Sequence, residues 1–130
     1  MLKKISLVLF LILFSANAYS AGSDSTPKKV KSDYDKAVES IKFAKKYEKK
    51  GKVEKAKKRY EKAQKFLLKS NKEKPNQADT LNYLGFTTRK LGDYENGEKY
   101  YLMGLEINPN HTGINAVSYT HLTLPTSNSV

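Results

Sequence analysis

Residues 78–111 read ADTLNYLGFTTRKLGDYENGEKYYLMGLEINPNH, and their pattern decides the fold. Leu81, Leu84 and Thr88 recur at helical spacing, so one face of a first helix is expected to be buried. Asn76 follows Pro75 and stands as an N-cap, with Asp79 three positions on, where a carboxylate favours the helix dipole. Gly92-Asp93 stops that helix and starts a second. Tyr94, Tyr101 and Leu105 continue the period until Pro109, whose ring forbids continuation. Two amphipathic helices joined by a short turn follow. Gly85 has no side chain, so a neighbouring helix can approach closely there. Gly97 and Gly104 lie inside the second helix, where each is expected to cost about 1 kcal/mol relative to alanine.

This stretch resembles one complete tetratricopeptide repeat (TPR), a helix-turn-helix unit of about 34 residues. Leu81, Leu84 and Gly85 on the first helix carry the resemblance, with Gly92 and Tyr94 at the turn, Tyr101 and Leu105 on the second helix and Pro109-Asn110 closing the unit. Thr88 departs from it where a large apolar residue is usual, and Gly97 and Gly104 depart where alanine is usual. The resemblance implies an all-α fold of stacked hairpins, a short α-solenoid fragment, and a scaffold that binds proteins or peptides without a cofactor.

Aligning Gly51 with Gly92 brings out a poorer unit over residues 33–77. Ala37, Phe43, Ala44 and Tyr47 fall on its first helix, and Val53, Ala56, Tyr60 and Ala63 on its second. Pro75 arrives about two turns late, so the helix through Phe66, Leu67 and Leu68 is expected to overrun and end near Ser70-Asn71.

The two ends read differently. Residues 1–21 form a targeting segment: Lys3 and Lys4 precede an apolar run from Ile5 to Phe14, too short to cross a bilayer that needs about 20 residues. Ala16-Asn17-Ala18 offers a cleavage site, with Ala18-Tyr19-Ser20 as a neighbouring choice. The chain has no cysteine, so neither a lipoprotein anchor nor a disulfide framework is available. A periplasmic or secreted bacterial protein, cut near Ala18 or Ser20, is the expectation. Residues 22–32 are expected to form a flexible leader. Residues 117–130 begin Val117-Ser118-Tyr119-Thr120-His121-Leu122, which resembles a translated transposon-end sequencing adapter (GTC TCT TAT ACA CAT CTG), so this tail is expected to be non-native. Residues 112–116 then open a truncated third repeat. A solenoid of this kind needs about three repeats to cover its apolar faces, so marginal stability is expected.

Charge is unevenly placed. The chain carries 24 Lys and Arg against 13 Asp and Glu, net +11. Residues 28–74 hold 19 of the basic groups against seven acidic ones, whereas residues 78–111 hold three against five. The first hairpin is thus a cationic rod whose alternative role is association with an anionic envelope surface, including peripheral membrane contact. Lysine outnumbers arginine 22 to two, which also fits a compositional bias that keeps a helix face soluble. Nucleic acid is disfavoured as a partner, because specific readout favours arginine.

Catalysis finds little support. His111 lies in the Pro109-Asn110 turn and His121 in the tail, so no histidine pair has metal-ligand spacing, and no cysteine can serve. The glycines sit at turns or packing positions instead of forming a phosphate loop. Ser25-Thr26-Pro27-Lys28 has S-x-x-K spacing without a shell to orient it. Neither an enzyme nor a metal site is expected.

The resemblance implies a binding groove lined by each unit's first helix. Its positions fall on Asp79, Asn82, Phe86, Arg89 and Lys90 in the later unit, and on Val38, Ile41, Lys45, Glu48 and Lys49 in the earlier one. Asn82 could bond a peptide backbone and Phe86 could pack an apolar side chain. Arg89, Lys90, Lys45 and Lys49 offer cations to a carboxylate.

Overall fold

The computed structural model describes residues 29–122, with side chains described through Val117. The targeting segment, most of the leader and the end of the tail therefore lie outside the described residues. Five helices follow in order: α1 (Asp33–Lys49), α2 (Val53–Glu73), α3 (Ala78–Lys90), α4 (Tyr94–Ile107) and α5 (Thr112–Leu122). The described residues form no strand. α1 pairs with α2, α3 pairs with α4, and α2 and α3 join the two hairpins. This is the all-α, stacked-hairpin fold expected from the sequence.

Both hairpin turns are built the same way. α1 starts from a capping box, in which Ser32 Oγ accepts from the Asp35 amide at 3.1 Å while the Ser32 amide donates to Asp35 Oδ2 at 3.2 Å. It ends where Gly51 takes φ +66°, a left-handed conformation cheap only without a Cβ. That turn lets the Lys52 amide reach back to the Tyr47 carbonyl. In the second hairpin Gly92 has φ +96° and the Asp93 amide reaches the Thr88 carbonyl. Asp93 then caps α4, its Oδ1 accepting from the Asn96 amide at 3.1 Å.

Two prolines set the other ends. Asn108 is extended and Lys74 has likewise left the helical region, as residues before proline prefer. α2 consequently runs 21 residues to Glu73, past the Ser70-Asn71 end read from the sequence. Asn76 is not the cap of α3. It adopts φ +60°, a conformation asparagine tolerates, and Gln77 occupies the N-cap position without a side-chain bond.

One apolar core runs through α1, α2 and α3, formed by Ala37, Ile41, Ala44, Ala56, Tyr60, Ala63, Leu67, Leu81 and Leu84. Polar links cross it where helices meet. Ser40 Oγ donates to the Arg59 carbonyl, and Gln64 Nε2 donates to Thr88 Oγ1, both at 2.9 Å. The second bond explains why a threonine stands at position 88: its hydroxyl is buried but paired.

Several sequence assignments change. Val53 and Tyr94 are exposed, and Phe43 is 40% exposed beneath the Arg59 guanidinium. Leu105 is half-buried. Gly97 and Gly104 are close-approach points: a Cβ on Gly97 would strike the Arg89 side chain, and one on Gly104 would strike Ile114. α5 continues through Leu122, and Ile114 of this helix is fully buried.

Candidate peptide-binding face

The groove positions implied by the sequence are only partly brought together. Phe86, Lys45 and Lys90 do meet, where α1 and α3 come alongside one another. Lys45 Nζ lies 4.8 Å from the centre of the Phe86 ring, and Lys90 Nζ lies 5.8 Å from it. Phe86 also meets Tyr60 edge-on at 5.8 Å between centroids. Glu48 closes the cluster. It accepts from Tyr60 Oη at 2.9 Å and pairs with Lys90 Nζ at 2.9 Å. Burial, together with the adjacent Glu48 carboxylate that its hydroxyl serves, pushes the Tyr60 phenol far above its ordinary value. Tyr60 therefore stays a neutral donor to Glu48. The Phe86 face is thus half-buried and internally paired, with its cations already shared.

The other positions lie elsewhere. Arg89 turns toward α4: its guanidinium sits 5.7 Å from the Tyr94 ring centre and 5.9 Å from that of Tyr101. Tyr101 is raised above its ordinary value mainly by burial, while Arg89 pulls the other way. Arg89 belongs to the inside of its own hairpin. Ile41 is buried in the core. Lys49 is exposed in the last turn of α1.

Asp79 and Asn82 serve the junction with α5. Asp79 Oδ1 meets His111 Nε2 at 2.8 Å, and the Ile114 amide donates to His111 Nδ1 at 3.2 Å. With Nδ1 accepting, the neutral tautomer carries its proton on Nε2 and donates it to Asp79. The imidazole therefore caps α5 and ties it to α3. Asn82 lies under the same turn, since a Cβ on Gly113 would come 2.9 Å from its Nδ2.

The open part of the face lies on α1. A shallow depression of about 640 Å³ follows the exposed side of that helix, lined by Tyr34, Val38, Lys42, Phe43, Lys46 and Tyr83 among others. Tyr34 and Tyr83 meet edge-on at 5.9 Å, one from α1 and one from α3. Burial is the largest cause pushing the Tyr34 phenol up to about 12, with Asp79 adding to it. The Tyr34 ring is therefore neutral at ordinary pH. Lys31, Lys42 and Lys46 rim the apolar floor together with Asp35 and Glu39, and because Lys31 pairs with Glu39, Lys42 and Lys46 are the cations offered to a carboxylate beside an apolar side chain.

Val38 was the one groove position in the sequence that falls within this depression. Tyr34 and Tyr83 were missed. The signal for Tyr34 was present, because it precedes Val38 by four residues and shares its helix flank. Tyr83 has no such signal, since only the pairing of α3 with α1 brings it there. Among the described residues, no group of three or more His, Cys, Asp or Glu side chains is placed to hold a metal ion.

Residues 78–111 match a family model described as Tetratricopeptide repeat. They span α3, the Gly92 turn, α4 and the Pro109 closure, the elements whose packing has just been set out. These residues form a tetratricopeptide repeat, and such repeats generally serve as protein-interaction scaffolds. No curated protein and no solved structure matches the chain significantly.

Proposed function

We propose that this protein is a peptide-capture scaffold whose docking face is the concave side formed by α1 and α3. The observation that carries the reading is the open depression around Tyr34, Val38 and Tyr83, with Lys42 and Lys46 on its rim. Tyrosines provide rigid contact area at low entropic cost, and the lysines add orientation for an acidic neighbour. The preferred ligand is an extended segment with one apolar side chain next to Asp or Glu. The Phe86 cluster, closed by Glu48 and Lys90, holds α1 and α3 at the spacing the face requires.

The proposal includes export. Support for that comes from Lys3 and Lys4, the Ile5 to Phe14 apolar run and the Ala16-Asn17-Ala18 site, all outside the described residues. Among the described residues no helix is long and apolar enough to cross a membrane.

Selection of displayed random peptides on the purified protein tests the docking face. Wild type should enrich apolar-acidic sequences, and Val38→Glu should abolish the enrichment while leaving the circular dichroism spectrum unchanged. No enrichment over the bare support, or the same peptides on Val38→Glu, would refute the assignment.

A further inference from the structure

The outer face of α2 carries a row of lysines that the docking face does not use and of which only Lys69 pairs with a buried group, Asp33. Lys55, Lys58, Lys62, Lys65, Lys69 and Lys72 are spaced alternately three and four residues apart, and all six are exposed. The residues α2 buries are Ala56, Tyr60, Ala63 and Leu67. Lys58, Lys62, Lys65 and Lys69 follow these by two positions each, which is about 200° around the helix. The lysines therefore form one stripe, drifting about 20° per seven residues, on the side facing away from the core. At 1.5 Å per residue it is about 26 Å long, with a cation every 4.5 to 6 Å or so.

We infer that this stripe binds a linear phosphate polymer without bases, of the chemistry of long-chain polyphosphate. The argument is charge complementarity in one dimension. A single row of ammonium groups at near-even spacing matches a chain that carries its charges in a line, and neutralising that chain releases its counterions. The side chains are all lysine, which suits point-charge contact with phosphate more than bidentate recognition of a base. No aromatic residue lies in the row. Binders of single-stranded nucleic acid combine cations with exposed rings on which bases stack, and here Tyr60 turns into the core while Phe66 is half-buried and covered by Lys36 and by Lys62 of the row. A membrane is a poorer match, because a helix lying in an interface inserts its apolar face and that face of α2 is buried against α1 and α3. Lys69 also has a structural task, its Nζ lying 2.7 Å from Asp33 Oδ2 and 3.7 Å from Glu73 Oε1. The other five are the ones to neutralise.

The full chain is titrated with long-chain polyphosphate over a range of salt concentrations. One variant changes Lys55, Lys58, Lys62, Lys65 and Lys72 to Gln; a control of equal net charge changes the exposed Lys29, Lys50, Lys52, Lys57 and Lys74 to Gln. The stripe variant should lose at least tenfold in affinity, and its log–log salt slope should flatten by about 3.5, near 0.7 per contact for a single chain. The control should stay within about threefold of wild type at moderate salt, where distant charges are screened. Equal losses in both variants would overturn the inference, as would an absence of polyphosphate binding by wild type. Equal or tighter wild-type binding to a single-stranded oligonucleotide of matched charge, or to vesicles rich in anionic lipid, would overturn it too. Unchanged helical circular dichroism in both variants keeps the comparison a measure of binding.

Discussion

Gly85 of α3 lies so close to Tyr101 of α4 that a Cβ built on the glycine would stand 2.6 Å from Cδ1 and Cε1 of the ring. The same Cβ would be 2.9 Å from the Gly97 carbonyl oxygen. The ring is boxed in, because Tyr101 is only 6% exposed, and the carbonyl is backbone that cannot rotate aside. Helix propensity alone favours alanine here by about 1 kcal/mol, whereas overpacking typically costs about 1–3 kcal/mol. Gly85→Ala should therefore lower stability on balance. For a domain of this size each kcal/mol corresponds to a fall of about 4–8 °C in Tm, so a thermal melt showing an unchanged or raised Tm would mean that α3 and α4 have slack between them.

Gly104 should behave differently from Gly85. A Cβ at Gly104 meets the terminal methyl of Ile114, the end of a flexible side chain, and comes within ordinary contact of Leu81 at 3.5 Å. The clash can be relieved by moving Ile114, so the cost falls on the seating of α5 while α4 gains about 1 kcal/mol of helix propensity. Hydrogen exchange should show faster opening of α5 amides in Gly104→Ala and protection in α4 at least as high as in wild type. Slower exchange in α5 would contradict the packing.

These glycines show what was legible in the sequence and what was not. Ala44, Ala56, Tyr60 and Ala63 of the first hairpin stand 41 positions before Gly85, Gly97, Tyr101 and Gly104 of the second. The hairpins are one design with three alanines in one copy and three glycines in the other. The register follows from the sequence once Gly51 is set against Gly92, and so do the helices and the tyrosine that each hairpin buries. The spacing of the helices does not follow. Gly97 and Gly104 look like weak points in a lone helix, and only the positions of Arg89 and Ile114 reveal that they admit neighbours. The docking face was harder to read for the same reason. Spacing along α3 puts Phe86 and Arg89 on neighbouring positions, but Arg89 is drawn to Tyr94 and Tyr101 across the hairpin. Tyr34 and Tyr83 are 49 residues apart in sequence, and no local pattern announces their contact.

The Gln64 to Thr88 bond should be worth more as a pair than either residue alone. Thr88 is nearly fully buried, so Thr88→Val removes the acceptor and leaves the Gln64 amide with an unmet donor inside the junction of α2 and α3. The expected loss is about 1–2 kcal/mol. Replacing Gln64 by Leu in that background removes the stranded donor, and the double variant should recover part of the loss. A double-mutant cycle from urea unfolding should give a coupling of about 1 kcal/mol. Strict additivity would mean that the bond does not hold the hairpins together.

Asp33 contributes to the acid sensitivity of the fold. Its side chain is 6% exposed and lies between Lys69 Nζ at 2.7 Å and Lys36 Nζ at 2.9 Å. The hydrogen bond from Lys69, then that from Lys36, holds the carboxyl below its ordinary value of 3.8 against the opposing effect of desolvation. A carboxyl depressed in the folded state stabilises it fully at pH values above the unfolded pKa. That contribution is lost as pH falls through the folded pKa, so the window lies below about pH 4. Asp33→Asn keeps the shape and removes the titration. In a series of urea melts from pH 6 down to pH 2, the wild-type stability should fall more steeply below pH 4 than that of Asp33→Asn, and the two curves should converge toward pH 2. Parallel curves over the whole range would show that the two lysines hold Asp33 no differently in the folded and unfolded chains.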